Sequence, residues 1–231
     1  MRSIEIPTAL WSSVQDQHRK IAKLKKMSGY YQLSGVHNPW GRAASIFDSW
    51  KLLDVCQSPT LLELVSEMMG DDIILWDSRF FSLADHVPKA TWIRESDFSP
   101  FDTLQGVTVR IPVSAFDLMI NMNSNTSDSN AAEILKLNPG SAIFHDVYAP
   151  YRYSDTGGNS HRCEYVIQYA SGRSRFVRDQ SSAVQRSLAA SLPLINFGEA
   201  PIWLLQGVDH MNNDFAAGFT PTVAQWTDTK W

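Results

Sequence analysis

The sequence predicts a mainly β fold with flanking helices, of the α+β class: a barrel-like sandwich of strands buttressed by N-terminal helices. Three observations carry this expectation. Apolar residues recur at helical spacing near the start of the chain, the period shortens to that of strands after Gly70, and helices precede strands instead of alternating with them, unlike a parallel α/β sheet.

The helical part spans residues 1–70. Residues 8–27 place Leu10, Trp11, Val14, Ile21 and Leu24 at helical spacing, with Thr8 as cap and Gly29 beyond the end. A second helix has sharper limits. Ser58 stands at the N-cap and Pro59 at the first helical position, where its missing N–H leaves no bond unmade. Leu61, Leu62, Leu64, Val65, Met68 and Met69 supply the apolar positions before Gly70 stops the helix.

Branched and aromatic residues then predict strands near 72–83, 89–98, 106–114, 133–138, 141–148 and 161–170, the third with Val107, Val109, Ile111 and Val113 alternating. Residues 117–132 are polar and turn-forming and read as a mobile loop, and 155–160 as a second turn. Short helices are expected around 180–192 in a C-terminal extension, 171–231. With no linker or internal repeat, the 231 residues form one expected domain, 1–231, whose barrel covers about 71–170.

Composition narrows the function classes. A 44% hydrophobic and 19% charged chain is that of an ordinary globular protein. A net charge of −4 argues against nucleic-acid binding, and the basic run Arg173, Arg175, Arg178 reads as solvated surface. No stretch is long and apolar enough to span a bilayer, and no leader is visible, so a cytoplasmic location is expected, away from membrane. Cys56 and Cys163 stand far apart, in no metal or redox spacing, and are expected to be reduced. None of His18, His37, His86, His145, His161 and His210 has Asp or Glu two positions later, and zinc, Walker, Rossmann and nucleophile-elbow patterns are missing.

Several segments resemble one family. Ser58-Pro59 through Met69-Gly70-Asp71 precedes Phe80-Phe81. Trp92-Ile93-Arg94-Glu95-Ser96-Asp97-Phe98 is similar to a Trp-His-Gln-Asp-Ser-x-Tyr segment. Asn138-Pro139-Gly140-Ser141 leads to Phe144, and Asn159-Ser160 is followed by Arg162 and Tyr165-Val166-Ile167-Gln168-Tyr169. Over residues 50–170 this resembles the phytanoyl-CoA dioxygenase family of the Fe(II)/2-oxoglutarate oxygenase superfamily. The resemblance implies a double-stranded β-helix, a jelly-roll or cupin-like barrel. It places the first iron histidine on Ile93, the carboxylate on Glu95, the second histidine on Tyr151 and the 2-oxoglutarate arginine on Arg162. Only the carboxylate and the arginine persist. A lone glutamate does not hold Fe(II), so the expectation is no metal and no cofactor, unless His86, His145 or His161 is recruited.

The strand after 161 sorts its residues by parity. Arg162, Glu164, Val166 and Gln168 share a face expected to line the interior, while Cys163, Tyr165, Ile167 and Tyr169 pack on helices. A buried Arg162 then needs a partner, either Glu95, Glu164 or an anionic ligand. The candidate acid–base groups are Glu95, Tyr151, His145 and His161. The candidate ligand-binding groups are Arg162, Glu164, Gln168, Arg94, Arg110, Trp92 and Trp76. Simpler readings stand beside these: Glu95 as a surface carboxylate, Tyr151 and Tyr153 as a core edge, the tryptophans as core.

Three functions follow. The first is a metal-independent tailoring enzyme of specialised metabolism, an isomerase, cyclase or lyase acting on a small molecule with residues 117–132 as lid. The second is a non-catalytic subunit, homodimeric or paired with an active paralogue, with Pro201-Ile202-Trp203-Leu204-Leu205 as interface. The third is an Fe(II)/2-oxoglutarate dioxygenase with unusual ligands.

Overall fold

The computed structural model describes residues 1–23, 31–39, 46–83, 92–121, 132–154, 162–191 and 196–215. In chain order these form β1 (Arg2–Glu5), α1 (Thr8–Ala22), β2 (Tyr31–Ser34), α2 (Ser49–Cys56), α3 (Pro59–Met69) and β3 (Ile73–Leu83). A 3-10 turn follows at Glu95–Phe98, then β4 (Gly106–Pro112), β5 (Phe116–Asn121), β6 (Ala132–Leu137), β7 (Ser141–Asp146), β8 (Tyr151–Tyr153) and β9 (Arg162–Ser171). α4 (Ala183–Ser191), a 3-10 turn at Phe197–Glu199 and β10 (Trp203–Gln206) follow, the last elements among the described residues.

The strands make two antiparallel sheets. The larger runs β1-β7-β4-β9-β3-β10, with β2 also on β3; the smaller runs β6-β5-β8 and gains a bridge between Ile93 and Tyr151. The expected mixed α+β class is observed, but among the described residues the sheets do not join into a closed barrel. β3 carries a register shift: Leu75 pairs with Tyr169 and Asp77 with Gln168, which leaves Trp76 as an extra residue.

Each face of the larger sheet has its own core. Cys163, Tyr165, Ile167 and Tyr169 pack with Leu52, Cys56, Leu61 and Val65 of the helices, as their alternation predicts. Tyr169 donates its hydroxyl to the carbonyl of Cys56 at 2.6 Å, so the aromatic rings bury area while their polar tips stay bonded. The opposite face meets the smaller sheet through Phe116, Leu118, Ile120, Ile143, Tyr151 and Tyr153. Both cysteines are free and buried, and burial pushes the Cys56 thiol up to about 12, which leaves it unreactive.

Local signals explain the elements that were anticipated. α3 begins at Pro59 after Ser58 and stops at Gly70, whose φ of 90° lies in the region that glycine enters without a Cβ penalty. α4 falls within 180–192. α1 is described to Ala22 only, with Pro7 rather than Thr8 at its N-cap.

Three expectations need correction. The strand over 89–98 is absent: Ile93 forms an isolated bridge and Glu95–Phe98 a 3-10 turn, with 89–91 outside the described residues. The loop over 117–132 begins as a strand, β5, whose buried Leu118 and Ile120 alternate with Asp117 and Met119. The polar residues after Met122 masked that alternation, and 122–131 lie outside the described residues, as does the turn at 155–160. The segment 201–205 is only partly an apolar surface, because Pro201 and Ile202 are buried while Leu204, on the edge strand Trp203–Gln206 that pairs with β3, is exposed.

Candidate functional site

Between the two sheets the larger one presents charge where a sandwich core is ordinarily apolar. Arg79 on β3, Arg110 on β4, His145 on β7 and Glu164 and Gln168 on β9 all point toward the smaller sheet. There they meet Glu95 at the head of its 3-10 turn and Tyr151 and Tyr153 on β8. Glu95 is 2% exposed, which settles the choice between a surface and an interior carboxylate.

Every lone-pair direction of Glu95 has a donor. Oε1 accepts from Arg110 Nη2 at 2.5 Å and from the Tyr151 hydroxyl at 2.9 Å. Oε2 accepts from Arg79 Nη2 at 2.5 Å and from Gln168 Nε2 at 2.7 Å. Arg110 fans out further: Nη1 reaches Glu164 Oε1 at 2.5 Å, and Nε reaches His145 Nε2 at 3.0 Å. The Tyr153 hydroxyl donates to Glu164 Oε1 at 2.5 Å, and the Arg110 guanidinium lies 3.9 Å above the Tyr151 ring. Asp77 stands behind Arg79 at 3.3 Å and accepts from the Gly35 amide at 2.9 Å. Two guanidiniums and the carboxylates facing them thus offset one another's desolvation, the condition under which charge survives burial.

The electrostatics lock each group in one protonation state. Burial alone would push the Glu95 carboxyl up, but the Arg79 and Arg110 guanidiniums outweigh it and hold it at about 2. Burial, with Arg110 alongside, pulls the His145 imidazole down to about 3. The ring is therefore neutral, donating from Nδ1 to the Asp146 carbonyl at 2.9 Å and accepting at Nε2 from Arg110. Burial also raises the Tyr151 and Tyr153 phenols. A general acid or base works best near the operating pH, and none of these groups lies there.

The iron that the family resemblance implies does not fit these residues. The two imidazole positions hold Ile93 and Tyr151, paired backbone to backbone with Ile93 N–H to Tyr151 O at 2.8 Å. The carboxylate of Glu95 is fully engaged, and His145 accepts from a guanidinium. Among the described residues no three His, Cys, Asp or Glu side chains are grouped to hold a metal ion.

Of the candidate residues, Glu95, Tyr151, His145, Glu164, Gln168 and Arg110 come together. Arg162 is buried at the start of β9, yet among the described residues it meets neither Glu95 nor Glu164, whose partners are Arg79 and Arg110. Trp92 and Arg94 are half-buried. Ile93, between them, packs with the inter-sheet core, and the Arg152 guanidinium lies 4.9 Å over the Trp92 ring. Trp76 is core, edge-on to Phe101 at 5.8 Å and Phe197 at 5.9 Å. His86 and His161 lie outside the described residues. Arg79 was missed, although Asp77-Ser78-Arg79 inside the apolar run of β3 puts two charges at strand spacing, a pattern that a surface strand would not surround with Trp76 and Phe80-Phe81.

No protein-family model matches the chain, and no curated protein matches its sequence. Solved structures do match. CytC3 with Fe(II) and alpha-ketoglutarate superposes with a TM-score of 0.64 at 14% identity, covering 98% of this chain and 91% of that one. The non-heme monooxygenase ThoJ, as its nickel complex, gives 0.62 at 12% identity, over 90% of this chain and 79% of that one. SnoK, a non-heme alpha-ketoglutarate dependent carbocyclase from nogalamycin biosynthesis, gives 0.57 at 8% identity, over 76% and 81%. At these identities the likeness is one of fold, and the chain shares the fold of non-heme, alpha-ketoglutarate dependent enzymes.

Proposed function

We propose that this chain is a phytanoyl-CoA-dioxygenase-like jelly roll that runs no iron chemistry and acts as a non-catalytic subunit paired with a paralogous oxygenase. One observation carries the reading: Glu95, the one carboxylate left of the expected iron set, has both oxygens bound by buried guanidiniums. A carboxylate so held neither ligates a metal nor exchanges protons near neutrality. Tyr151 and His145, the other acid–base candidates among the described residues, also lie far from that range. Loss of the site with retention of the fold leaves the outer surface as the working part, including Ile134 (53% exposed) on edge strand β6 and Leu204 (41% exposed) on edge strand β10.

The test is turnover and size measured on one preparation. Purified protein incubated with Fe(II) and 2-oxoglutarate is expected to release no succinate above the buffer blank, and to co-elute with a co-expressed paralogue. Succinate formed in proportion to protein overturns the reading, and so does a chain that elutes alone beside excess paralogue.

Arg162 favours a second reading, that of a metal-independent isomerase, cyclase or lyase on a small anionic substrate. It is buried without a carboxylate contact among the described residues, and the fold is shared with SnoK, a carbocyclase, although that enzyme is alpha-ketoglutarate dependent. Activity of the isolated chain that persists in chelator and disappears in Arg162→Ala would establish it.

A further inference from the structure

We infer that the guanidinium of Arg110 takes the place of a metal ion as the fixed cation of the sandwich, in a cation site built from Glu95, Glu164 and His145 with Tyr151 as its aromatic wall. This role rests on the metal-free reading above and is independent of the partner. Each nitrogen of Arg110 has its own acceptor: Nη2 to Glu95 at 2.5 Å, Nη1 to Glu164 at 2.5 Å, and Nε to His145 at 3.0 Å. The Tyr151 ring closes one face at 3.9 Å from the guanidinium carbon, and Arg110 is 1% exposed.

The shape of the site selects a flat, wide cation. With C–N bonds of about 1.33 Å, acceptors at these distances from the nitrogens stand roughly 3.4 Å or more from the central carbon. A divalent transition metal takes its oxygen and nitrogen ligands at about 2.0–2.2 Å. The same three acceptors therefore stand too far apart for an ion and are spaced for a guanidinium fork. Arg110 comes from β4, His145 from β7 and Glu164 from β9 of the larger sheet, whereas Glu95 and Tyr151 sit at the smaller one. The cation thus ties the two sheets together, as a coordinated ion at their interface would.

The experiment uses the whole chain with Arg110→Ala and Arg110→Lys, n-propylguanidinium as probe and n-propylammonium as control. Arg110→Ala is expected to melt roughly 10 °C or more below the wild type, since it takes the guanidinium from buried Glu164 and leaves Glu95 with Arg79 alone. Millimolar n-propylguanidinium should restore at least half of that loss and n-propylammonium little of it, and Arg110→Lys should melt nearer the alanine variant. Wild type titrated with Mn(II) or Ni(II) should show no stoichiometric binding. Equal rescue by the two probes, or stoichiometric metal binding by wild type, overturns the role. So does Arg110→Lys melting within about 2 °C of wild type, a comparison that decides even if Arg110→Ala does not accumulate. These melts concern the isolated chain, so a missing paralogue complex leaves them standing, and a failed rescue leaves the complex untouched.

Discussion

Glu95 shows what a single side chain contributes when its neighbours fix its charge. Glu95→Gln leaves two buried guanidiniums facing an amide, and breaking a buried pair from one side costs about 3–5 kcal/mol; the denaturant midpoint should fall accordingly with an unchanged slope. The same residue gives the protein an acid limit. Its folded pKa of about 2 lies below the ordinary 4.5, so its contribution is present above pH 4.5 and is lost as pH falls toward 2. His145 and His37, buried neutral with pKa values of about 3 against 6.5, add to this, because the unfolded chain takes up their protons first between pH 6.5 and 3. Asp77, raised by burial, works in the opposite direction. Melting temperature should therefore fall from pH 7 to pH 4 and below, and Glu95→Gln should flatten the curve under pH 4.5. At this scale the meeting of positions 93, 95 and 151 was legible, because the resemblance supplies their spacing. What filled the space between them was not, since Arg79 and Arg110 come from strands distant in sequence and no local period marks their contact.

The elements depend on a few positions that carry no side chain. Gly106 opens β4 opposite Ala170, and a Cβ there would stand 2.4 Å from the Tyr169 carbonyl oxygen. Since that oxygen belongs to the central pair of strands and cannot swing aside, Gly106→Ala should cost about 1–3 kcal/mol. Thermal melts would register it, and loss of amide protection confined to β4 and β9 would place it. Helix limits were readable because Pro59 and Gly70 act locally. β5 and β8 were not: the polar run after Met122 hid the alternation of β5, and β8, three residues long, is identified as a strand only by pairing Tyr151 and Tyr153 with Ile120 and Leu118. The 3-10 turn at Glu95–Phe98 replaced an expected strand for a comparable reason: Ser96 N–H bonds the distant Val147 carbonyl at 3.0 Å, a contact that propensity does not encode.

At the scale of the whole molecule, helices followed by strands and one face per parity on β9 were enough to anticipate two layers of sheet with helices outside. Closure into a barrel, expected from the run of strands as well as from the resemblance, is not seen among the described residues. If the sandwich is held by its own arginine, dialysis against a strong chelator should move the melting midpoint by less than about 1 °C, because a ligand that is not bound contributes nothing to stability by mass action. A bound structural metal would give a much larger shift.

The extra residue at Trp76 bears on all of this. Before it, Ile73 and Leu75 belong to the helix-side core; after it, Phe80 does, and so the odd-numbered Arg79 turns to the other side and reaches Glu95. One inserted residue thus reverses the phase of β3 halfway along. Removing Trp76 would restore a regular ladder and carry Arg79 across into the hydrocarbon around α2 and α3, so the charge arrangement of the interior is set as much by a count of residues as by their identity.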